Sequence, residues 1–355
     1  MPDSLSLRIG DIEVRNFLSF SIEADLYTAD HAFSLELANP GVPVKCGQRC
    51  ELAVNDDVEL TGIIDRRALS GDKKSKTLRV EGRDLMGLLV DSHCETFPDI
   101  EGKKLSALAS MLLANVPFIQ RSDVRYQADV AGRLKRHKAA GKSSGGFLAE
   151  TDTAQKNAKI EPGMSVFEVL KEFAASRGMM FWGMPDGTFE FGRPMVSGDP
   201  AFSLIRRKDG RGNNIIKGEL TEDFSKRYSK VTVIGQSQES GLGIAGANNP
   251  PGIEIDKDFP FKKPFVAKNN NDSRSPQLHA RFLLEKMQSQ GFRLTYTVKG
   301  FSDGFDNWKV NELCRVVDED LDIDGTYLIH GRTFELSRTE GAVTRLKLGM
   351  PGVIQ

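Results

Sequence analysis

The same strand meander is written twice in this chain, once near each end. Cys50–Gly82 reads CELAVNDDVELTGIIDRRALSGDKKSKTLRVEG, and Cys314–Gly349 reads CRVVDEDLDIDGTYLIHGRTFELSRTEGAVTRLKLG. Each copy runs apolar strand, acidic turn, longer strand, polar turn with glycine, final alternating strand. Cys50-Glu51-Leu52-Ala53-Val54 aligns with Cys314-Arg315-Val316-Val317, and Leu60-Thr61-Gly62-Ile63-Ile64 with Tyr327-Leu328-Ile329-His330. Self-similarity of this kind constrains the fold before any local propensity does, because each copy should form a like unit. Two similar β units in one chain can serve as two near-equivalent segments of a ring. Three such chains would make a ring of pseudo-sixfold symmetry.

The length, 355 residues, exceeds one ordinary domain, so two to four are expected. Hydrophobic content of 39% with 34 glycines fits a loop-rich, mostly β protein better than a helical one. A net charge of −1 gives no global field to draw in nucleic acid or an acidic membrane. No apolar run reaches the eighteen or so residues of a membrane-spanning helix. The start, MPDSLSLRIGDIEV, lacks the basic-then-apolar pattern of a secretory signal. Cys46, Cys50, His93 and Cys94 could be assembled into a zinc site, but their spacing is a poor match to paired short-loop ligands. Buried thiols in a reducing compartment are the simpler account, for Cys314 as well.

Apolar or alternating runs at Ser6–Phe17, Ser19–Thr28, Ala32–Leu37, Arg49–Val54, Glu59–Leu69 and Thr77–Gly82 predict strands, separated by Asp, Asn, Gly and Pro. Short strands at that spacing argue for a small barrel or sandwich. Helical spacing follows at Leu105, Leu108, Ala109, Leu112 and Val116, stopped by Pro117. Ser165 and Glu168 form a capping box ahead of an apolar stripe, Phe167, Leu170, Phe173 and Ala174, with Gly178 as its stop. Pro185-Asp186-Gly187 predicts a hairpin turn. Strands resume at Ile215–Leu220 and Lys230–Gly235. An irregular stretch, Ser237 to Ser275, precedes a helix opened by Ser275-Pro276 and closed by Gly291.

The expected architecture is α+β, mainly β, with two similar small β-barrel domains plus an α+β domain and inserted helix and loop regions. The first barrel covers 1–95. The α+β domain covers 96–200 and holds a long mobile loop at 129–161, too polar to fold alone. The second barrel is discontinuous, 201–236 with 292–355, interrupted by a loop–helix insertion at 237–291.

No catalytic set assembles. His31, His93, His137, His279 and His330 lie in neither an HExxH pair nor a serine elbow. Asp318, Glu319, Asp320, Asp322 and Asp324 are crowded enough for calcium but lack the downstream glutamate of such a loop, so a solvated hairpin turn is favoured. Gly241–Gly246 imitates a dinucleotide fingerprint without a helix behind it. The basic run Arg133–Lys142 has no interleaved aromatics for stacking bases. Trp182, among Met179, Met180 and Phe181, reads as core. No cofactor is expected. No pair of carboxylates stands out by spacing, although a spatial pair is invisible in sequence.

Three strings then occur in order: VEGRDLMGLLVDSHCE (Val80–Glu95), YSKVTVIGQS (Tyr228–Ser237), and the long segment Leu294–Pro351 with its Val-x-Gly, Trp-x-x-Asn and Thr-x-Leu-x-Leu steps. Together they resemble the baseplate hub proteins of Mu-like contractile-tail phages, over most of the chain, and through them the hub part of type VI secretion spikes. The resemblance implies a virion baseplate component assembled in the bacterial host cytoplasm. It also implies a homotrimeric ring that meets the tail tube on one face and a membrane-piercing spike on the other, beside other baseplate proteins. It implies no active site and no specific nucleic-acid binding. Strand addition between subunits could hold such a ring with few sequence-specific marks. Under this reading Trp308 and Asn311 shape the lip of the C-terminal barrel, and Arg83 and Asp84 take a related place after the N-terminal one. The plainer alternative makes Trp308 a core lid and Arg83–Asp84 a local turn pair. Two readings of other classes stay open, a tail-associated cell-wall hydrolase and a carbohydrate-binding adhesin.

Overall fold

The computed structural model describes residues 4–38, 41, 43–71, 76–97, 100, 102–114, 116–119, 123–126, 159–235, 251–269 and 276–354. The first unit is β1 (Leu5–Ile9), β2 (Ile12–Val14), β3 (Ser19–Asp25), β4 (Ala32–Ala38), β5 (Arg49–Val54), β6 (Asp57–Gly71) and β7 (Lys76–Asp84). The middle of the chain supplies α1 (Met86–Asp91), α2 (Leu105–Leu113), β8 (Val124–Tyr126), α3 (Val166–Ser176), β9 (Met180–Gly183) and β10 (Phe189–Gly192). Next come β11 (Phe202–Arg206), β12 (Ile215–Glu222), β13 (Lys230–Gly235), β14 (Gly252–Ile255), β15 (Pro264–Asn269) and α4 (Pro276–Gln290). The second unit closes with β16 (Phe292–Lys299), β17 (Glu312–Asp318), β18 (Ile323–Ser337) and β19 (Gly341–Gly349).

Thirteen strands form one sheet in the order β12-β16-β19-β18-β3-β4-β7-β6-β5-β1-β2, with β17 on β18 and β11 on β17. The molecule is therefore mainly β. No pairing among the described residues closes either half on itself, so the two-barrel detail goes beyond what the ladders show. The two halves are joined edge to edge, and their buried side chains merge into one core that includes Leu7, Leu35, Leu52, Val80, Leu204, Tyr296, Val316 and Leu348.

The duplication is visible in the register. In each half a fifteen-residue strand, β6 or β18, pairs on one side with a nine-residue strand, β7 or β19. Each of those ladders slips once, between Ile64 and Arg66 and between Ile329 and Gly331. Cys50 lies opposite Gly62, and Cys314 opposite Tyr327. The cysteine alignment thus holds, but Gly62, not Leu60, is the counterpart of Tyr327. The copies differ in their turns: Asn55-Asp56 join β5 to β6, both with positive φ as a tight hairpin requires, whereas four residues join β17 to β18, and a bulge opposite Leu52 and Ala53 gives one residue back to the first copy. The correspondence extends before the strands. Gly47 and Asn311 both have positive φ, and their backbone N–H groups donate to the equivalent carbonyls of Ile64 and Ile329.

The run expected as one strand at Ser6–Phe17 is a hairpin, because Gly10 adopts φ +58° and turns the chain. A second core gathers α1, α2, α3 and the sheet β8-β10-β9 around Leu105, Leu108, Leu170, Phe173 and Phe191. The capping box forms as expected: Glu168 N–H donates to Ser165 Oγ at 3.2 Å and Ser165 N–H to Glu168 Oε2 at 2.8 Å. The stretch read as irregular at Ser237–Ser275 contains two strands, β14 and β15, which flank β13 in a separate three-stranded sheet. The face of that sheet bearing Val231 and Val233 packs under α4 through Ala280 and Leu284. The strand β13 therefore belongs to this small sheet by its pairing. The loop expected at 129–161, apart from 159–161, the basic run Arg133–Lys142 and the glycine motif Gly241–Gly246 lie outside the described residues.

Candidate interaction site: the seam between the two halves

The halves meet where β3 pairs with the second half of β18, beyond the point at which β17 has ended. The pairs are Gly331–Asp25, Arg332–Ala24, Thr333–Glu23, Phe334–Ile22, Glu335–Ser21 and Leu336–Phe20. Phe334 and Ile22 are fully buried, so the ladder is also a core contact. On the other face Asp25 receives a hydrogen bond from Lys347 Nζ at 2.9 Å and lies 3.5 Å from His330 Nδ1. Burial opposes ionisation of Asp25, but the His330 and Lys347 contacts outweigh it and hold its pKa at about 2.

A buried ion pair crosses the core behind the seam. Arg332 Nη1 donates to Glu59 Oε2 at 2.5 Å and to the Trp308 carbonyl at 2.8 Å, with its guanidinium 3.9 Å from the centroid of the Phe334 ring. The second oxygen of Glu59 accepts from Asn307 Nδ2 at 2.8 Å. Asn307 also donates to the Val54 carbonyl, and its Oδ1 accepts from Asn55 Nδ2 at 2.9 Å. The loop before β17 is thereby tied to the β5–β6 turn of the other copy. Both charged side chains are almost wholly out of water, where a charge persists only if paired and hydrogen-bonded. No local pattern hints at this pair, since 273 residues separate its members.

Of the residues singled out from sequence, Trp308 is buried, its ring tilted on Phe202 at 4.9 Å between centroids. Asn311 holds the left-handed turn into β17, and its Oδ1 accepts from Met195 N–H at 2.9 Å. Arg83 stands elsewhere, at the surface, bridging Asp30, Asp65 and Asp91. Asp84 is buried beside His31, 3.3 Å away, and its Oδ1 accepts from Met86 N–H. Burial pushes Asp84 up to about 6, partly offset by His31. The two pairs stand at different steps of the meander: Trp308 and Asn311 lead into β17, whereas Arg83 and Asp84 end β7. The acidic turn is not wholly solvated either, because Asp318 is buried and accepts from Arg206 Nε at 2.8 Å and Nη2 at 2.7 Å. No group of three or more His, Cys, Asp or Glu among the described residues is placed to hold a metal. Trp182 is core, packed with Leu26 and Met180.

Comparison with known proteins separates the same two segments. The family described as Mu phage baseplate assembly protein GpP-like, N-terminal, matches residues 4–84, and the tail protein C-terminal domain family matches 287–353. Baseplate hub protein gp44 of Escherichia phage Mu is 21% identical over 364 aligned positions, covering 98% of this chain and 88% of that one. The chain is thus similar to the Mu baseplate hub over nearly its whole length. The tail protein of Neisseria meningitidis MC58 shares its fold at a TM-score of 0.81 and 26% identity, over 99% of this chain and 98% of that one. The 43 kDa tail protein of prophage MuSo2 from Shewanella oneidensis gives 0.77 and 20%, over 98% of each. The fold recurs at 0.57 and 11%, over 97% of this chain and 76% of that one, in the E. coli c3393 protein, a component of the type VI secretion system. The named relatives are tail and baseplate proteins rather than enzymes. In this chain the N-terminal match spans β1 to β7 and the C-terminal match spans β16 to β19, so the two family segments fall on the two copies of the meander.

Proposed function

We propose that this hub-like tail protein is a structural adaptor of a contractile-tail baseplate. Three copies form a ring in which each chain contributes two near-equivalent, barrel-like β units. Such a ring presents pseudo-sixfold symmetry to the tail tube and threefold symmetry to a trimeric spike. In this reading 1–95 and 201–236 with 292–355 are the ring units, save that β13 within them pairs with the strands of the insertion, 237–291, and 96–200 is a side domain. The chain acts in the virion baseplate after assembly in the host cytoplasm, and it performs no catalysis of its own.

One observation carries the reading. The two copies are already joined inside one chain by a strand ladder, β3 on β18, so each chain contains one complete inter-unit joint. A ring of such units needs only the same joint repeated between chains, a heterologous contact that closes by rotation. The experiment is native mass spectrometry of the purified chain at micromolar concentration, followed by co-expression with a trimeric spike protein of a Mu-like phage. A mass of three chains and recovery of the spike with the trimer are expected. A persistent single chain that leaves the spike behind would overturn the proposal.

A further inference from the structure

The internal duplication makes a residue-level statement about an edge. By the registers above, β12 is the counterpart of β3: Leu220 lies opposite Leu294 as Ile22 lies opposite Phe33. The second half of β6 is likewise the counterpart of the second half of β18, Arg66 matching Gly331 and Leu69 matching Phe334. Within the chain β3 and β18 pair, but their counterparts do not. Among the described residues β12 pairs only with β16, and β6 beyond Ile63 pairs only with β7. Every residue from Asp65 to Gly71 is exposed, whereas Arg332 and Phe334 in the matching stretch are buried. Leu69 is 58% exposed where Phe334 is 0%.

We propose that the free edge of β6, residues 66–71, is completed by β12 of a second copy of this chain. The pairing copies the register of the internal seam. That register sets Arg66 opposite Asp223 of the second copy, Arg67 opposite Glu222, Ala68 opposite Thr221, Leu69 opposite Leu220, Ser70 opposite Glu219 and Gly71 opposite Gly218. This inference rests on the ring reading above and assigns its interface. Two features favour a second copy over a solvated edge. Charged residues on an edge commonly only discourage pairing. Here, however, two arginines on one strand fall opposite two acids on the other, and opposite charges directly across a ladder stabilise it. The single large apolar residue of the edge, Leu69, falls opposite Leu220, which already packs partly against the main core. At the internal seam Asp25, the counterpart of Asp223, takes its cation from Lys347. Between chains Arg66 would supply it.

The test is paired cysteine substitution in a Cys46→Ser background, Cys46 being the exposed native thiol. Residues directly opposite on antiparallel strands lie within disulfide reach, and a pair displaced by two residues lies beyond it. Ala68→Cys with Thr221→Cys should cross-link under mild oxidation into a reducible species of three chains. Arg66→Cys with Thr221→Cys should stay uncoupled. Leu69→Asp, at a position exposed in the single chain, should leave the circular dichroism unchanged and lower the native mass threefold, to 39.2 kDa. A trimer that persists in Leu69→Asp, or that fails to cross-link at 68 and 221, overturns the strand pairing while leaving the ring reading standing. Cross-linking of residue 68 to a different protein overturns it as well. A parent chain that is a single copy in solution removes both.

Discussion

The ion pair between Glu59 and Arg332 offers the sharpest test of how the two halves are held together. With both side chains nearly inaccessible, removing one partner leaves the other charge buried without compensation, a loss of about 3–5 kcal/mol in comparable sites. In Glu59→Leu, Arg332 keeps the Trp308 carbonyl and the Phe334 ring, and Asn307 keeps the Val54 carbonyl. The expected cost therefore lies toward the lower end, about 3 kcal/mol. In Arg332→Met, Glu59 keeps only Asn307, and the Trp308 carbonyl loses a buried donor, so a cost of about 4 kcal/mol is expected. The double variant removes both charges and replaces them with apolar groups of similar volume. Its remaining penalty is the orphaned carbonyl, about 1–2 kcal/mol. The singles would then sum to about 7 kcal/mol against a double near 2, a coupling of several kcal/mol that only a direct interaction produces. Urea unfolding at one fixed protein concentration, followed by tryptophan emission, reads this, since Trp308 adjoins the pair and Trp182 is the only other tryptophan. A double variant as unstable as the sum of the singles, or singles costing under about 1 kcal/mol, would refute the reasoning.

Three further outcomes are expected. Asp25 has a folded pKa near 2, below the ordinary 3.8, so its contribution is present above pH 3.8 and lost as pH falls toward 2. Lys347→Met should flatten that loss in acid unfolding curves, by about 1 kcal/mol if Lys347 supplies half of the shift. Asp84 is shifted the other way, to about 6, so the folded state binds the extra proton and stability declines as pH rises from 3.8 to 6. Asp84→Asn should abolish that decline between pH 4 and 6 in a thermal melt series, and an unchanged slope would place the titration elsewhere. Gly82→Ala should be among the most damaging single changes, because a Cβ there would sit 2.1 Å from the Ile63 carbonyl and 2.6 Å from the Phe33 ring. A loss above about 3 kcal/mol is expected, and a soluble variant with wild-type midpoint would contradict the close crossing of β6 and β7.

The strands were legible because half-buried sheets alternate: β3, β4, β5 and β7 appear within three residues of the runs Ser19–Thr28, Ala32–Leu37, Arg49–Val54 and Thr77–Gly82. The repeat was legible through Cys50 and Cys314, which occupy matching ladder positions. Its register was not, since a longer turn in one copy and a bulge in the other offset matching residues in ways the alternation does not record. β14 and β15 escaped notice as short runs bounded by prolines and asparagines, and α1 as a single apolar turn and a half that any buried segment could supply. The seam itself left a faint mark: Leu69 in a strand otherwise rich in Arg and Ser is the counterpart of Phe334 in the copy that is covered. Nothing local could reveal Glu59 with Arg332, because a charge pair so distant in sequence has no spacing to read.

Electron cryomicroscopy of the purified chain, viewed along the ring axis, tests the central claim most directly. The account predicts a threefold particle with six near-equivalent β lobes and continuous strand ladders at all six joints. A ring with only three distinct lobes, or particles of one or two chains, would contradict it.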